Sequence, residues 1–455
     1  MGKQYLRQIL KFLANGPNGG TLMEKILYSY RNPSAKLIHK IKYAPLHKAI
    51  DYFARKAEVQ QGVISDKIFH HQPSVRVLVN TARSVAAYGL TEPQRFVAPL
   101  MTVWNTTNLC NLACKHCYQE AGLRIKDELS RLEKIAVVDQ LSDNYVPILI
   151  IAGGEPFLDP DLWAVLERSR AKRIYCTIAT NGTLLTPENC RRLVALGVNY
   201  IEVSLDSIDP AIHDEFRQTK GAWERSVQGI RNAVQTPGLE CGIATCFIKD
   251  TVGRAEDMIH FAISLGAKRF VHFNFLPIGR ASLMADQELD RTQQGQLMRL
   301  FHKTLKEGKV DVWSTAPQFG RMFLTLGDLE RVGAVGTGGS DNGLLAKVLS
   351  RFIGGCAARR CYCSIQPNGR ITPCLSMPGE ILGDLRVSTF LEIWNQATQG
   401  PTGDRHYRKS HSFCAGCRAK SFSEDADAGD LGCIFNMPLF SKMQEWLTPI
   451  PGKLN

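Results

Sequence analysis

The chain changes rhythm twice. Up to residue 98 its apolar positions recur three and four apart, the spacing of one helix face, and predict helices at 4–14, 22–30, 34–41, 45–58 and 75–87. In the first, Tyr5, Ile9, Phe12 and Leu13 share a face with Arg7 and Lys11 between them, and Asn15-Gly-Pro-Asn-Gly-Gly20 ends it. From residue 99 short continuous apolar runs at 100–104, 147–152, 174–179, 200–205, 240–248 and 269–276 alternate with helical segments at 129–143, 161–171, 187–196, 222–234 and 255–265. Runs that short and that rich in Val, Ile and Phe are strands buried on both faces. Alternating strand–helix units predict an α/β fold, a parallel sheet with helices outside, either doubly wound or an incomplete barrel. After residue 285 the regularity fades. Residues 286–326 read as a helix pair with a short strand near 310–313, and 327–342 as a glycine-rich connection. Beyond lies a cysteine-rich region in which Pro367-Asn-Gly369 signals a hairpin. The chain therefore divides into a helical extension (1–98), a strand–helix core (99–285), a connection (286–342) and a small cysteine-rich domain (343–455).

Composition narrows the class. A chain of 455 residues, 44% hydrophobic and 22% charged, is a folded protein of two or three domains. No apolar run reaches the roughly 18–20 residues of a spanning helix, and no secretory signal is legible. A cytoplasmic protein is expected. Fourteen cysteines in such a chain argue for metal or cluster ligation rather than disulfides. Cys176, Cys190, Cys241 and Cys246 stand scattered among apolar neighbours and read as buried hydrophobes. The net charge is +12, and in residues 1–58 many Lys and Arg face only Glu24, Asp51 and Glu58. A basic helix with an apolar face can lie on an anionic membrane surface, here the inner face. Packing against the core is the plainer reading and is preferred. The charge permits nucleic acid, but no recognition motif supports it.

The chemistry concentrates in Cys110-Asn-Leu-Ala-Cys114-Lys-His-Cys117, directly after the first strand. Three thiolates can hold three irons of a [4Fe–4S] cube and leave the fourth open. A zinc loop is the alternative, but zinc wants four protein ligands, usually in C-x2-C pairs. In a parallel barrel, chemistry gathers where the strands end. The second strand ends in Gly153-Gly154-Glu155-Pro156 and the third in Thr180-Asn181-Gly182. The fourth places Ser204 and Asp206 on one face, fit to hydrogen-bond a ribose or a carboxylate. Each alone is an ordinary polar strand end.

In this order, and with His116 before the last cysteine, they resemble the radical S-adenosylmethionine (SAM) family. Residues 206–232, with His213-Asp-Glu-Phe-Arg217 and Lys220-Gly221-Ala-Trp-Glu-Arg225, are similar to its fourth strand–helix unit, and Pro277-Ile-Gly279-Arg280 to its exit. The resemblance covers residues 100–281. It implies an incomplete (β/α)6 TIM-like barrel, a cluster on Cys110, Cys114 and Cys117, and SAM held by His116, Gly153, Gly154, Glu155, Pro156, Asn181, Ser204 and Asp206. It also implies an electron donor such as a ferredoxin or flavodoxin, and a 5′-deoxyadenosyl radical that takes hydrogen from a substrate carbon.

The last region carries Cys356, Cys361, Cys363, Cys374, Cys414, Cys417 and Cys433. With Gly383-Asp-Leu385, Ile393-Trp-Asn395 and Cys414-Ala-Gly-Cys417-Arg418 it resembles the SPASM and twitch extensions, which hold one or two auxiliary [4Fe–4S] clusters. Ser423 and Asp427 stand where that pattern expects cysteines. Two fully thiolate-ligated cubes need eight cysteines and this region has seven, so either one cluster forms with spare thiols or two form with a non-cysteine position. Two are preferred, with Cys374, Cys414, Cys417 and Cys433 as first ligands; a zinc ribbon is the alternative. Family frequency points to a peptide or protein precursor as substrate. A lipid or tetrapyrrole is the second choice, and a non-catalytic electron carrier the reading from another class.

Overall fold

The computed structural model describes residues 2–16, 20–56, 69–91, 94–316, 319, 356–399, 417 and 419. Seven parallel strands follow one another in space as in sequence: β1 (Met101–Asn105), β2 (Ile148–Ala152), β3 (Tyr175–Thr180), β4 (Tyr200–Ser204), β5 (Glu240–Cys246), β6 (Arg269–Phe273) and β7 (Asp311–Ser314). The short apolar runs thus become the sheet, each within two or three residues of its expected ends. Trp104, Leu149, Ile151, Ile178, Ile201 and Ile243 join the core shared with the helices. Val103, Ile150, Ala152 and Ala179 form a separate apolar cluster on the opposite, inner face. This is an α/β barrel that does not close.

The hairpin of the cysteine-rich region adds to this same sheet. β8 (Tyr362–Ile365) pairs parallel to β1, Met101 against Tyr362 and Trp104 against Ile365, and β9 (Arg370–Thr372) and β10 (Gly383–Asp384) extend it antiparallel. Among the described residues the sheet therefore runs to ten strands, β10-β9-β8-β1-β2-β3-β4-β5-β6-β7. Gly369 has φ +86° and closes the expected turn.

The amino-terminal helices are α1 (Gly2–Ala14), α2 (Leu22–Ser29), α3 (Leu37–Lys42), α4 (Ala44–Lys56) and α5 (Gln72–Tyr88). α5 is bolted to the end of the barrel where strands begin. The buried Arg76 donates to the Val146 and Ser142 carbonyls at 3.0 and 2.9 Å, and Asn80 to Ala98 at 3.1 Å. α1 lies along α5, with Arg7 reaching the Ala86 and Ala87 carbonyls. α2 opens with a Thr21–Glu24 capping box, and Glu24 also accepts from Tyr145 at 2.8 Å. Packing of this extension on the core is therefore real for α1, α2 and α5. It does not describe α3, which buries no residue.

The outer helices α6 (Arg131–Asp143), α7 (Leu162–Ala171), α8 (Pro187–Ala195), α10 (Ala222–Val234) and α11 (Ala255–Ser264) fall where periodicity put them. The short helix α9 (Pro210–Arg217) was hidden inside the fourth unit. Asp209 caps it by accepting from Ala211 at 2.8 Å, Pro210 sits at its first turn, and Gln218 ends it at φ 55°. Of the helix pair expected over 286–326, one helix is seen, α12 (Arg291–Glu307). Residues 317–318 and 320–326 of that span and the glycine-rich 327–342 lie outside the described residues. α13 (Phe390–Gln399) carries the Ile393-Trp-Asn395 segment and buries Trp394, whose Nε1 donates to Phe96 at 2.9 Å.

Candidate active site

The cysteine loop leaves β1 at the strand ends, opposite the amino-terminal helices. Two short backbone bonds close it, Cys110 N to Gly122 O and Gly122 N to Asn108 O, both 2.9 Å. Cys110, Cys114 and Cys117 pack together against Leu112 and Ala222. Each sulfur accepts one N–H: Cys110 from Leu112 N at 3.5 Å, Cys117 from Ala121 N at 3.4 Å, and Cys114 from Arg217 Nη1 at 3.6 Å. Burial, offset in part by the Leu112 amide, pushes the Cys110 thiol up to about 12, and burial also raises Cys114. Thiols so placed ionise only when a cation is there to take the charge.

Other strand ends hold the loop in shape. Gly154 N donates to Thr107 O and Glu155 N to Leu109 O, both at 2.8 Å. A Cβ on Gly153 would lie 2.5 Å from Thr107 O, and one on Gly154 would run into Leu109 O. The two glycines thus admit the backbone of the cysteine loop itself. Arg280 clamps the other side, its Nε on Cys114 O and Nη1 on Ala121 O, both 2.8 Å, and its backbone N on Cys117 O at 3.1 Å. Gly279, at φ +57°, brings it in, because any Cβ there would meet Cys117 O and Tyr118 O at 2.6 Å. The buried Glu128 ties down the loop's entry by accepting from Asn108 N at 2.7 Å and from Thr107 Oγ1.

Three of the side chains expected to reach SAM hold protein partners. Glu155 is fully buried and accepts from Thr180 Oγ1 and Asn181 N, both at 2.8 Å, and from Phe157 N at 3.2 Å. Burial drives its pKa up to about 7 against those donors. Asn181 donates to Asn111 at 2.8 Å and accepts from Thr183 N and Oγ1. Asp206 accepts from Arg217 Nε at 2.7 Å and from Cys246 N at 3.1 Å. These contacts brace the strand ends. Pro156 is buried and starts a short 3-10 turn. Ser204 is half-buried, and no described residue takes its hydroxyl. His116 stacks on Phe216, ring centres 4.0 Å apart and 7° from parallel. Burial and the neighbouring Arg217 push its pKa down to about 3, so it is neutral.

The later cysteines do not all face one way. Cys356 adds to the rise that burial gives the pKa of Cys361 and to the rise that burial gives that of Cys374. Cys374 accepts from Ser376 N at 3.5 Å, two residues on, as Cys110 does from Leu112. Cys363 faces the other way. It is fully buried in the main core and meets Thr102 Oγ1 of β1 at 3.7 Å. Strand alternation gives Tyr362 to the inner face and Cys363 to the outer. Cys417 is described and half-buried; Cys414, Cys433, Ser423 and Asp427 lie outside the described residues. Tyr118 is half-buried, Cys117 and Cys374 both add to the rise that burial gives its pKa, and its hydroxyl donates to Asn105 at 3.1 Å.

Residues 104–262 match the radical SAM superfamily, and residues 356–418 match an iron–sulfur cluster-binding domain, SPASM. Over 340 residues the chain is 30% identical to the AdoMet-dependent heme synthase of Nitratidesulfovibrio vulgaris strain Hildenborough, covering 72% of this chain and 89% of that one. The chain belongs to the radical SAM superfamily. It is also 27% identical to the mycofactocin maturase MftC of Mycobacterium tuberculosis, over 71% of this chain and 80% of that one. The crystal structure of Streptococcus suis SuiB bound to precursor peptide SuiA matches with TM-score 0.61 at 15% identity, over 89% of this chain and 91% of that one. At that identity the likeness is one of fold.

A radical SAM enzyme works with a [4Fe–4S] cluster and SAM, and its SPASM domain with auxiliary iron–sulfur ligation. The site fits the first cluster: one buried thiol, Cys114, and two half-buried ones, Cys110 and Cys117, pack together, each already accepting an N–H. Held by Cys110, Cys114 and Cys117, the cluster would supply the electron for reductive cleavage of SAM and, through it, hydrogen-atom abstraction from substrate. The chain's own part is to hold the loop rigid through Gly153, Gly154, Gly279 and Arg280, and to line the space beside it with the apolar inner face of β1 to β3. Arg217, Arg280, Thr107 and Glu128 received no role from the sequence. For Arg280 the signal was present: an arginine straight after a glycine, where the last core strand ends.

Proposed function

We propose that the carbon attacked belongs to a carboxylate-bearing tetrapyrrole of the haem-precursor type. The observation that carries this is the likeness to a heme synthase, 30% identical across 89% of that protein and 72% of this chain. Two features support it. The inner face built from Val103, Ile150, Ala152, Ala179 and Tyr362 is apolar and suits a flat macrocycle. A net charge of +12 favours a substrate with several carboxylates. This reading reverses the preference drawn from family frequency. A peptide substrate is the second reading, favoured by the likeness to the mycofactocin maturase. Anaerobic protein supplied with SAM, dithionite and a propionate-bearing iron porphyrin should release 5′-deoxyadenosine several-fold faster than without the porphyrin, and the porphyrin's mass should change. Stimulation by a precursor peptide, with the porphyrin unaltered, decides for the peptide.

We further infer that the amino-terminal helices touch an anionic surface. No helix among the described residues is long and apolar enough to cross a membrane. On α3, however, Leu37 is 70% exposed, Ile38 68% and Ile41 67%, beside Lys36, Lys40 and Lys42. Basic residues near anionic lipid contribute about 1 kcal/mol each, and salt screens them. Full-length protein should therefore pellet with phosphatidylglycerol vesicles at low salt, and an Ile38→Asp/Ile41→Asp variant should not. Equal pelleting of the two leaves α3 without that role.

A further inference from the structure

The three cluster sulfurs are not equivalent. Cys110 and Cys117 accept from backbone amides, which every substitution preserves, while Cys114 accepts from the guanidinium of Arg217. That guanidinium is held with care. Its Nε and Nη2 both rest on Asp206 Oδ2, at 2.7 and 2.6 Å, and Asp206 Oδ1 is fixed by Cys246 N of β5. Arg217 is 8% exposed and Asp206 3%. The helix end that carries Arg217 is stitched to the cysteine loop as well: Ala113 N donates to Arg217 O at 3.3 Å and Lys115 N to Phe216 O at 2.9 Å. Burial pushes the Asp206 carboxyl up, but Arg217 beside it prevails and keeps it below the usual range, so the pair is charged.

We propose that Arg217 is a positioning residue that sets the reduction potential of the cluster through the Cys114 sulfur, and that Asp206 aims it. Reduction adds a negative charge to the cluster. A cationic N–H donor on a ligand sulfur stabilises the reduced form more than the oxidised one, and hydrogen bonds to sulfur are among the determinants of cluster potential. The site is buried, so the interaction is screened little by water. Asp206 cancels much of the net charge, which leaves the placement of the N–H on sulfur as the active feature. A lysine keeps the charge but lacks the fork that can rest on Asp206 and reach Cys114 at once.

The test is an EPR-monitored redox titration of anaerobically reconstituted enzyme, its cysteines 356, 361, 374, 414, 417 and 433 intact, comparing the wild type with Arg217→Met and Arg217→Lys. With SAM-site iron retained, Arg217→Met should lower the reduced-to-oxidised ratio at a fixed poise at least tenfold, which is about 59 mV for one electron. Arg217→Lys should fall between. The same titration follows the auxiliary signal, which should not move. An unchanged potential in Arg217→Met overturns the proposal. Loss of the SAM-site iron from both variants overturns it too, because Arg217 would then serve loop assembly and not potential.

Discussion

Replacing Cys110, Cys114 and Cys117 together by alanine is expected to bring reductive release of 5′-deoxyadenosine to the protein-free background. Iron per chain should fall by about four, the content of one cube. The fold should survive, because the three side chains lie on a loop and the strands beneath it pair without them. Thermal melting of the two apoproteins should therefore nearly coincide. Cys176→Ala is the matched control. That thiol is buried in the main core, away from the loop, and its loss should leave cleavage intact. Cleavage persisting in the triple variant, or stoichiometric zinc in the wild type, would remove the cluster from this loop.

The barrel was legible because burial on both faces writes itself into short unbroken apolar runs. The cysteine loop was legible because its spacing carries the chemistry directly. What escaped is whatever depends on partners distant in the chain. Nothing local marks β8 as the neighbour of β1, some 260 residues earlier, though a Tyr362–Cys363 alternation is there to be read once the pairing is known. The partners of Asp206 escaped for a different reason. Alternation put it on the face of Ser204, but β4 ends at Ser204, and beyond a strand's end alternation no longer directs side chains. Its direction is set by Arg217, eleven residues on, at the end of a helix too short for its periodicity to stand out. Glu155 and Asn181 show the same limit. The motif located the strand ends, but not the backbone amides that these side chains satisfy there, that of Asn181 by Glu155 and that of Thr183 by Asn181.

The auxiliary site turns on the orientation of Cys363. With that thiol in the core, six cysteines of the region are left, enough for one fully ligated cube and two short of a second. In the background lacking Cys110, Cys114 and Cys117, about four irons per chain are therefore expected. Adding Cys374→Ala should take most of them away, since Cys374 shows the amide-to-sulfur contact two residues on that also marks Cys110. Adding Cys363→Ala should leave the iron count unchanged and cost about 1 kcal/mol of stability, the ordinary result of a core substitution. The two variants differ by one residue in a region of seven cysteines, and they should part completely in iron while both fold. About eight irons in the background would mean a second cluster completed by a ligand other than cysteine. Loss of iron with Cys363→Ala would mean that β8 leaves β1 when the cluster forms, since Cys363 faces away from Cys374 for as long as that pairing holds.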